Sequence, residues 1–153
     1  NTRERRLHVR AMKEGDLNRA LLRILAPAEV AGQSYLFVQN EGGDDDIWIY
    51  LPALDDAPRR IAGSQRSESF MGTNVTYADL ESRDIQDADH IRLPDEEVAG
   101  FPVFVIDANP EGSQYERIRL WIRQSDYVPL RVRFFDAEGS VVKTMFTEQV
   151  ETE

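Results

Sequence analysis

Between residues 117 and 134 two strand-like runs change character from one residue to the next. Ile118, Leu120 and Ile122 alternate with Arg117, Arg119, Trp121 and Arg123, and Val132 and Phe134 alternate with Arg131 and Arg133. A period of two is that of a β-strand, whereas a helix would scatter the same residues around its circumference. Four strand-like runs, residues 103–108, 115–123, 130–135 and 141–146, are separated by Asn109-Pro110-Glu111-Gly112, Gln124-Ser125-Asp126 and Asp136-Ala137-Glu138-Gly139. Turns this short join antiparallel neighbours, so a meander is the simplest topology. One of its faces is apolar, with Glu116 near a strand end. The other is an arginine ladder, expected to face outward and to pair with nearby carboxylates.

The first part of the chain obeys the same period. Residues 3–13 and 17–25 form an expected hairpin around Glu14-Gly15-Asp16, with Ala20, Leu22 and Ile24 on one face and Arg19, Leu21 and Arg23 on the other. Residues 33–39 and 47–51 are apolar on both faces: Tyr35 and Phe37 oppose Leu36 and Val38, and Trp48 and Tyr50 oppose Ile49 and Leu51. Strands of this kind are covered on both sides or line a cavity. Residues 83–93 read as a polar strand interrupted by Asp87, Ala88 and Asp89, followed by an acidic turn between Pro94 and Gly100. The pattern is mainly β, with about nine strands in an antiparallel sheet that curls.

Residues 59–80 break the alternation, and Phe70 and Met71 stand beside Gly72. Thr76 reads as the cap of one helical turn with Asp79 as its acidic partner. The stretch is expected to cross inward over an apolar sheet face. Four separated pieces in order, Tyr50-Leu51-Pro52-Ala53-Leu54, Arg59-Arg60-Ile61, Ser69-Phe70-Met71-Gly72-Thr73 and Tyr77-Ala78-Asp79-Leu80, resemble the outer-membrane lipoprotein-sorting family, the LolA/LolB-like periplasmic lipoprotein carriers. The likeness extends from about Arg3 to Phe146. It implies one LolA-like lipid-binding domain over residues 1–153: a curved antiparallel sheet forming an incomplete, half barrel, with the crossing loop or a short helix over its concave face. It also implies a domain without the family's N-terminal helix and last C-terminal strands.

The 153 residues suffice for one substantial core. A net charge of −10 opposes a polyanion partner, so nucleic acid is excluded as an expectation. The chain has no Cys, which removes thiolate metal sites and a Cys nucleophile. No apolar run approaches the roughly 20 residues of a membrane-spanning helix. His8 and His90 stand apart, and no metal or cofactor is expected. Asp44-Asp45-Asp46 lacks the ligand alternation of a calcium loop and reads as a solvated turn. Asn74-Val75-Thr76 matches a glycosylation pattern, but a match this short arises easily by chance. No Gly-X-Ser-X-Gly elbow is present, so no catalytic residue is assigned.

Twelve apolar residues remain: Leu36, Val38, Trp48, Tyr50, Phe70, Met71, Phe104, Ile106, Leu120, Ile122, Val132 and Phe134. Residue physics alone favours a packed core for them. The resemblance implies instead that they line a cavity for acyl chains, held by burial of about 0.8 kcal/mol per CH₂. On that reading the protein is a non-enzymatic periplasmic carrier that passes a lipid or lipoprotein towards the outer membrane. Its partners are an acylated lipid or lipoprotein, an inner-membrane transporter and an outer-membrane acceptor, with transient membrane contact only. Two alternatives differ in class: a protein-interaction module associated with a membrane lipid exporter or outer-membrane assembly, and a hydrolase using Ser69 or His90.

Overall fold

The structure is a computed structural model that describes residues 4–70, 76–77, 86 and 88–151. Among these residues the alternation builds β1 (Arg6–Glu14), β2 (Leu17–Ala26), β3 (Ser34–Val38), β4 (Asp46–Tyr50), β5 (Arg59–Arg60), β6 (Ala88–Val98), β7 (Phe101–Pro110), β8 (Arg117–Arg123), β9 (Pro129–Phe135) and β10 (Val141–Phe146). The chain divides into two compact units, Asn1–Ser82 and Arg83–Glu153. Each holds one five-stranded antiparallel sheet, ordered β1-β2-β3-β4-β5 in the first and β10-β9-β8-β7-β6 in the second. Both are meanders, and neither closes into a barrel, in agreement with the mainly β, open-sheet expectation.

In the first unit, Gly15 takes a left-handed φ of 64° between the paired residues Glu14 and Leu17, which closes the expected hairpin. Leu22 and Ile24 point into the core while Leu21 and Arg23 are exposed. Tyr35 and Phe37 on β3 and Ile47 on β4 continue that buried face. Phe70 and Tyr77 close over it. The Phe70 ring lies 4.4 Å from Tyr35 and 5.6 Å, edge-on, from Tyr77. Ser69 and Thr76 form an antiparallel bridge that brings the two aromatic residues to the same place. The crossing segment is anchored earlier by the Ile61 amide donating to the Ile47 carbonyl at 2.8 Å, by the Arg60–Asp46 ion pair and by the Arg66 guanidinium on the Asp45 carbonyl. The inward crossing read from the sequence is therefore present at Phe70. Met71, Gly72 and Asp79 lie outside the described residues.

The second unit corrects the reading of residues 83–100. The acidic stretch is strand rather than turn: β6 runs unbroken through Pro94, Asp95, Glu96 and Glu97 to Val98. Its register with β7 steps from Leu93 opposite Val105 to Glu96 opposite Val103, a bulge that takes up one extra residue. Pro94 is tolerated there because β6 is the sheet edge. The turn itself is only Ala99-Gly100, both with positive φ (51° and 81°), the mirror-image geometry that suits the twist of a two-residue hairpin. Strands β7 to β10 follow as the expected meander.

The deepest packing in this unit lies on the Trp121 side of the sheet. Val98, Val103, Val105, Trp121 and Leu130 form its buried cluster, with Leu93 and Val128 packed against it. The arginine side therefore carries a core, contrary to the expectation of an outer polar face. The aliphatic stems and flat guanidinium groups of arginine cover the indole, so residues counted as polar supply apolar cover.

Candidate functional site

Six of the twelve apolar residues proposed from the sequence come together on one face of the second sheet. Ile106 stands opposite Leu120, Leu120 opposite Val132, and Val132 opposite Met145, so a single row crosses four strands. Phe104 opposite Ile122 forms the next row on one side, and Ile118 opposite Phe134 the next on the other. Phe134 is buried, while Phe104, Ile106, Leu120, Ile122 and Val132 keep part of their surface in solvent. At the β6 edge the Arg92 guanidinium lies 4.4 Å over the Phe104 ring. At the β10 edge the Lys143 ammonium lies 3.7 Å over the Phe134 ring and donates to the Tyr115 hydroxyl at 3.3 Å. The face is thus an apolar strip with a cation at each side. Such a strip offers dispersion and burial with few polar demands, which suits an acyl chain.

The other proposed residues are placed differently. Leu36, Val38, Trp48 and Tyr50 share the face of the first sheet that points away from its core, with Leu36 directly opposite both Leu21 and Trp48. Leu36 and Trp48 are 36% and 37% exposed, and Val38 and Tyr50 are half-buried. Phe70 belongs to the core on the opposite face, against Tyr35. Met71 lies outside the described residues. Burial pushes the Tyr35 and Tyr77 hydroxyls above the ordinary tyrosine range, so both remain neutral, and the Tyr35 hydroxyl donates to Gln33 Oε1 at 3.1 Å.

Behind the apolar strip, the Trp121 face is ordered by charge. Arg119 grips Asp107 with two hydrogen bonds, Nε at 2.6 Å and Nη2 at 2.8 Å, and Arg117 stands 3.7 Å from the same carboxylate. These guanidinium groups, Arg119 above all, hold the Asp107 carboxyl below the usual aspartate range. Arg123 makes a similar fork with Asp126. The Trp121 indole N–H donates to Glu96 at 2.8 Å. Arg131, Arg133 and Arg119 lie 5.1, 5.4 and 5.9 Å from the Trp121 ring. Sequence reasoning found the ladder but not Asp107 or Glu96. Asp107, alone in an apolar run and in step with Val103 and Val105, carried the signal.

Among the described residues no three His, Cys, Asp or Glu side chains gather as metal ligands, and no helix is long and apolar enough to cross a membrane. His8 and His90 are both exposed. A surface recess of about 290 Å³ lies beside Asn109, Glu116, Arg117, Phe135 and Asp136, and contains none of the twelve proposed residues.

A family model described as "Uncharacterized protein" matches residues 16–153. No curated protein matches the chain. Among solved structures, a domain provisionally named an outer membrane lipoprotein-sorting protein, from Vibrio parahaemolyticus, is 32% identical with a TM-score of 0.68; the match covers 97% of this chain and 64% of that one. A DUF1329 family protein from Desulfovibrio piger is 29% identical with a TM-score of 0.66, covering 96% of this chain and 65% of that one. The structure of the CwlD amidase with the GerS lipoprotein, from Clostridioides difficile, contains a chain with a TM-score of 0.57 at 12% identity, covering 98% of this chain and 86% of that one, a likeness of fold alone. This chain thus spans slightly less than two thirds of the first two proteins. The resemblance read from residues 50–80 is borne out by the first of them. Through the match over residues 16–153 the chain belongs to the family described as "Uncharacterized protein", and its fold is shared with the outer membrane lipoprotein-sorting domain and the DUF1329 protein.

Proposed function

We propose that this protein is a non-enzymatic carrier that binds the acyl chains of a lipid or lipoprotein. It works in the periplasm of a Gram-negative bacterium and passes its cargo from an inner-membrane transporter towards an outer-membrane acceptor. The observation that carries the reading is the row Ile106, Leu120 and Val132 with Phe104, Ile122 and Phe134 beside it, an apolar face whose central residues are only half-buried. The shared fold with a lipoprotein-sorting domain supports it. Acyl chains of a dozen or more methylenes would gain on the order of several kcal/mol from contact with such a face, at about 0.8 kcal/mol per buried CH₂.

Native mass spectrometry of the protein purified from bacteria, followed by organic extraction, tests this directly. The expected result is a co-purifying acylated molecule in stoichiometric amount, and saturable uptake of a fluorescent fatty acid that Leu120→Asp abolishes while the circular dichroism spectrum stays the same. An empty protein that takes up no fatty acid rules the carrier out. A second reading, a protein-interaction module associated with a membrane lipid exporter or outer-membrane assembly, is favoured by the edge strand β10. There Val141, Met145 and Phe146 are 48%, 39% and 65% exposed.

A further inference from the structure

The arginine face of the second sheet contains more positive charge than its own carboxylates neutralise. Asp107 is taken by Arg119 and Arg117, Asp126 by Arg123, and Glu96 by the Trp121 indole. Arg131 and Arg133 have no carboxylate partner among the described residues. Arg133 stands directly opposite Arg119 across the β8–β9 pair, where like charges oppose one another. Both unpaired guanidinium groups are held against the Trp121 ring, and the Arg131 Nε is buried with no hydrogen-bond acceptor. They are therefore pre-organised and in want of an anion.

What surrounds them indicates which anion. Arg131 also lies 5.7 Å over Phe146, and Arg123 lies 5.1 Å over Phe101. Phe146 is 65% exposed, Phe101 45% and Ile91, on the β6 side of the same face, 57%. The guanidinium groups lie over the buried Trp121, and Phe101, Phe146 and Ile91 stand exposed at the margin beside Asp89 and Asp126, whereas a protein–protein interface presents an apolar core inside a polar rim. A bilayer surface has the matching order, with phosphates to meet the arginines and an acyl boundary within reach of the rim.

We propose that the Arg131–Arg133 face docks on the surface of a membrane containing anionic phospholipid, its guanidinium groups on headgroup phosphates and Phe101 and Phe146 at the interface. This face is the reverse side of the sheet from the proposed acyl-binding strip, so the two can be tested apart. It also gives the transient membrane contact a location. The chain's overall charge of −10 repels such a surface, so docking is oriented, with this face turned inward, and reversible.

The test is co-sedimentation of the full chain with vesicles of phosphatidylcholine containing phosphatidylglycerol, against vesicles of phosphatidylcholine alone, at low and high sodium chloride. Binding is expected only with phosphatidylglycerol and is expected to weaken with salt. Removing two charges with Arg131→Gln and Arg133→Gln together should reduce partitioning by about 30-fold, from roughly one unit of lipid attraction per arginine. Phe146→Ser, at an exposed edge-strand site, should also reduce it. A chain that ignores phosphatidylglycerol at low salt, or a double variant that partitions like the parent, overturns the proposal. So does binding to polyglutamate without binding to vesicles, which would assign the face to an acidic protein instead.

Discussion

Asp107 shows how one side chain sets the character of a whole face. It follows four apolar residues on its strand, and its burial is offset by the paired hydrogen bonds from Arg119. Replacing it by Asn leaves Arg119 and Arg117 half-buried without a counter-charge. We expect Asp107→Asn to lower stability by about 2 kcal/mol in urea denaturation at neutral pH, from the strength of hydrogen bonds to charged groups. The pH dependence has a definite sign. Because the folded pKa lies below the unfolded value of about 3.9, the contribution is present above that value and is lost as pH falls through the lower folded pKa. Asp107→Asn should therefore flatten the acid limb of the stability curve, and an unchanged acid limb would show that the pair contributes nothing. Trp121 teaches a related lesson at the same scale. The alternation assigned it to the arginine side, yet it is only 3% exposed, because side-chain period reports which residues share a face and not how they cover one another.

At the scale of elements, the crossing segment is irregular and its described residues are mostly exposed, yet it buries two rings, Phe70 and Tyr77. Phe70 fills the space over Tyr35 that no strand reaches, and the Ser69–Thr76 bridge carries Tyr77 to its other side. Truncation by Phe70→Ala should cost about 3–4 kcal/mol, the range for a core phenylalanine, read as a lowered denaturation midpoint at unchanged slope. A loss under about 1 kcal/mol would mean that the segment merely rests on the sheet. Its inward turn was legible because two bulky apolar residues interrupt a period-two pattern. The course of β6 was not. Pro94 and the acids around it read as a turn, and only pairing with β7 makes an edge strand with a bulge out of them. The two-residue turn at Ala99-Gly100 was equally hidden, since Ala99 gives no sign of a positive φ in the sequence.

For the whole molecule, the excess of 28 acidic over 18 basic residues acts against compactness. Screening that repulsion should raise the melting temperature by a few degrees between about 0.01 and 0.15 M salt, as the Debye length falls from about 30 to 8 Å. A melting temperature that falls instead would mean that attractive pairs such as Arg119–Asp107 outweigh the general repulsion. The same salt should weaken vesicle binding, so the two responses have opposite signs and separate the global charge from the local arginine face.

The mainly β fold, the opening hairpin, the final meander and the likeness to lipoprotein-sorting domains were all determined by the sequence. Each rests on local order, namely a period of two, turn residues at short spacing and a few motif pieces in succession. The apolar strip was determined in part: Phe104, Ile106, Leu120, Ile122, Val132 and Phe134 share a face because they keep step along consecutive paired strands. Tertiary structure alone decided that the strands form two sheets. It also decided that Leu36 and Trp48 lie on the side away from the first core, and that the second core sits under arginines. The physical reason is that alternation assigns every residue to one of two sides but leaves both sides equivalent. Which side is buried depends on what is packed there, here the rings of Phe70 and Tyr77 in one unit and the arginine-covered Trp121 in the other.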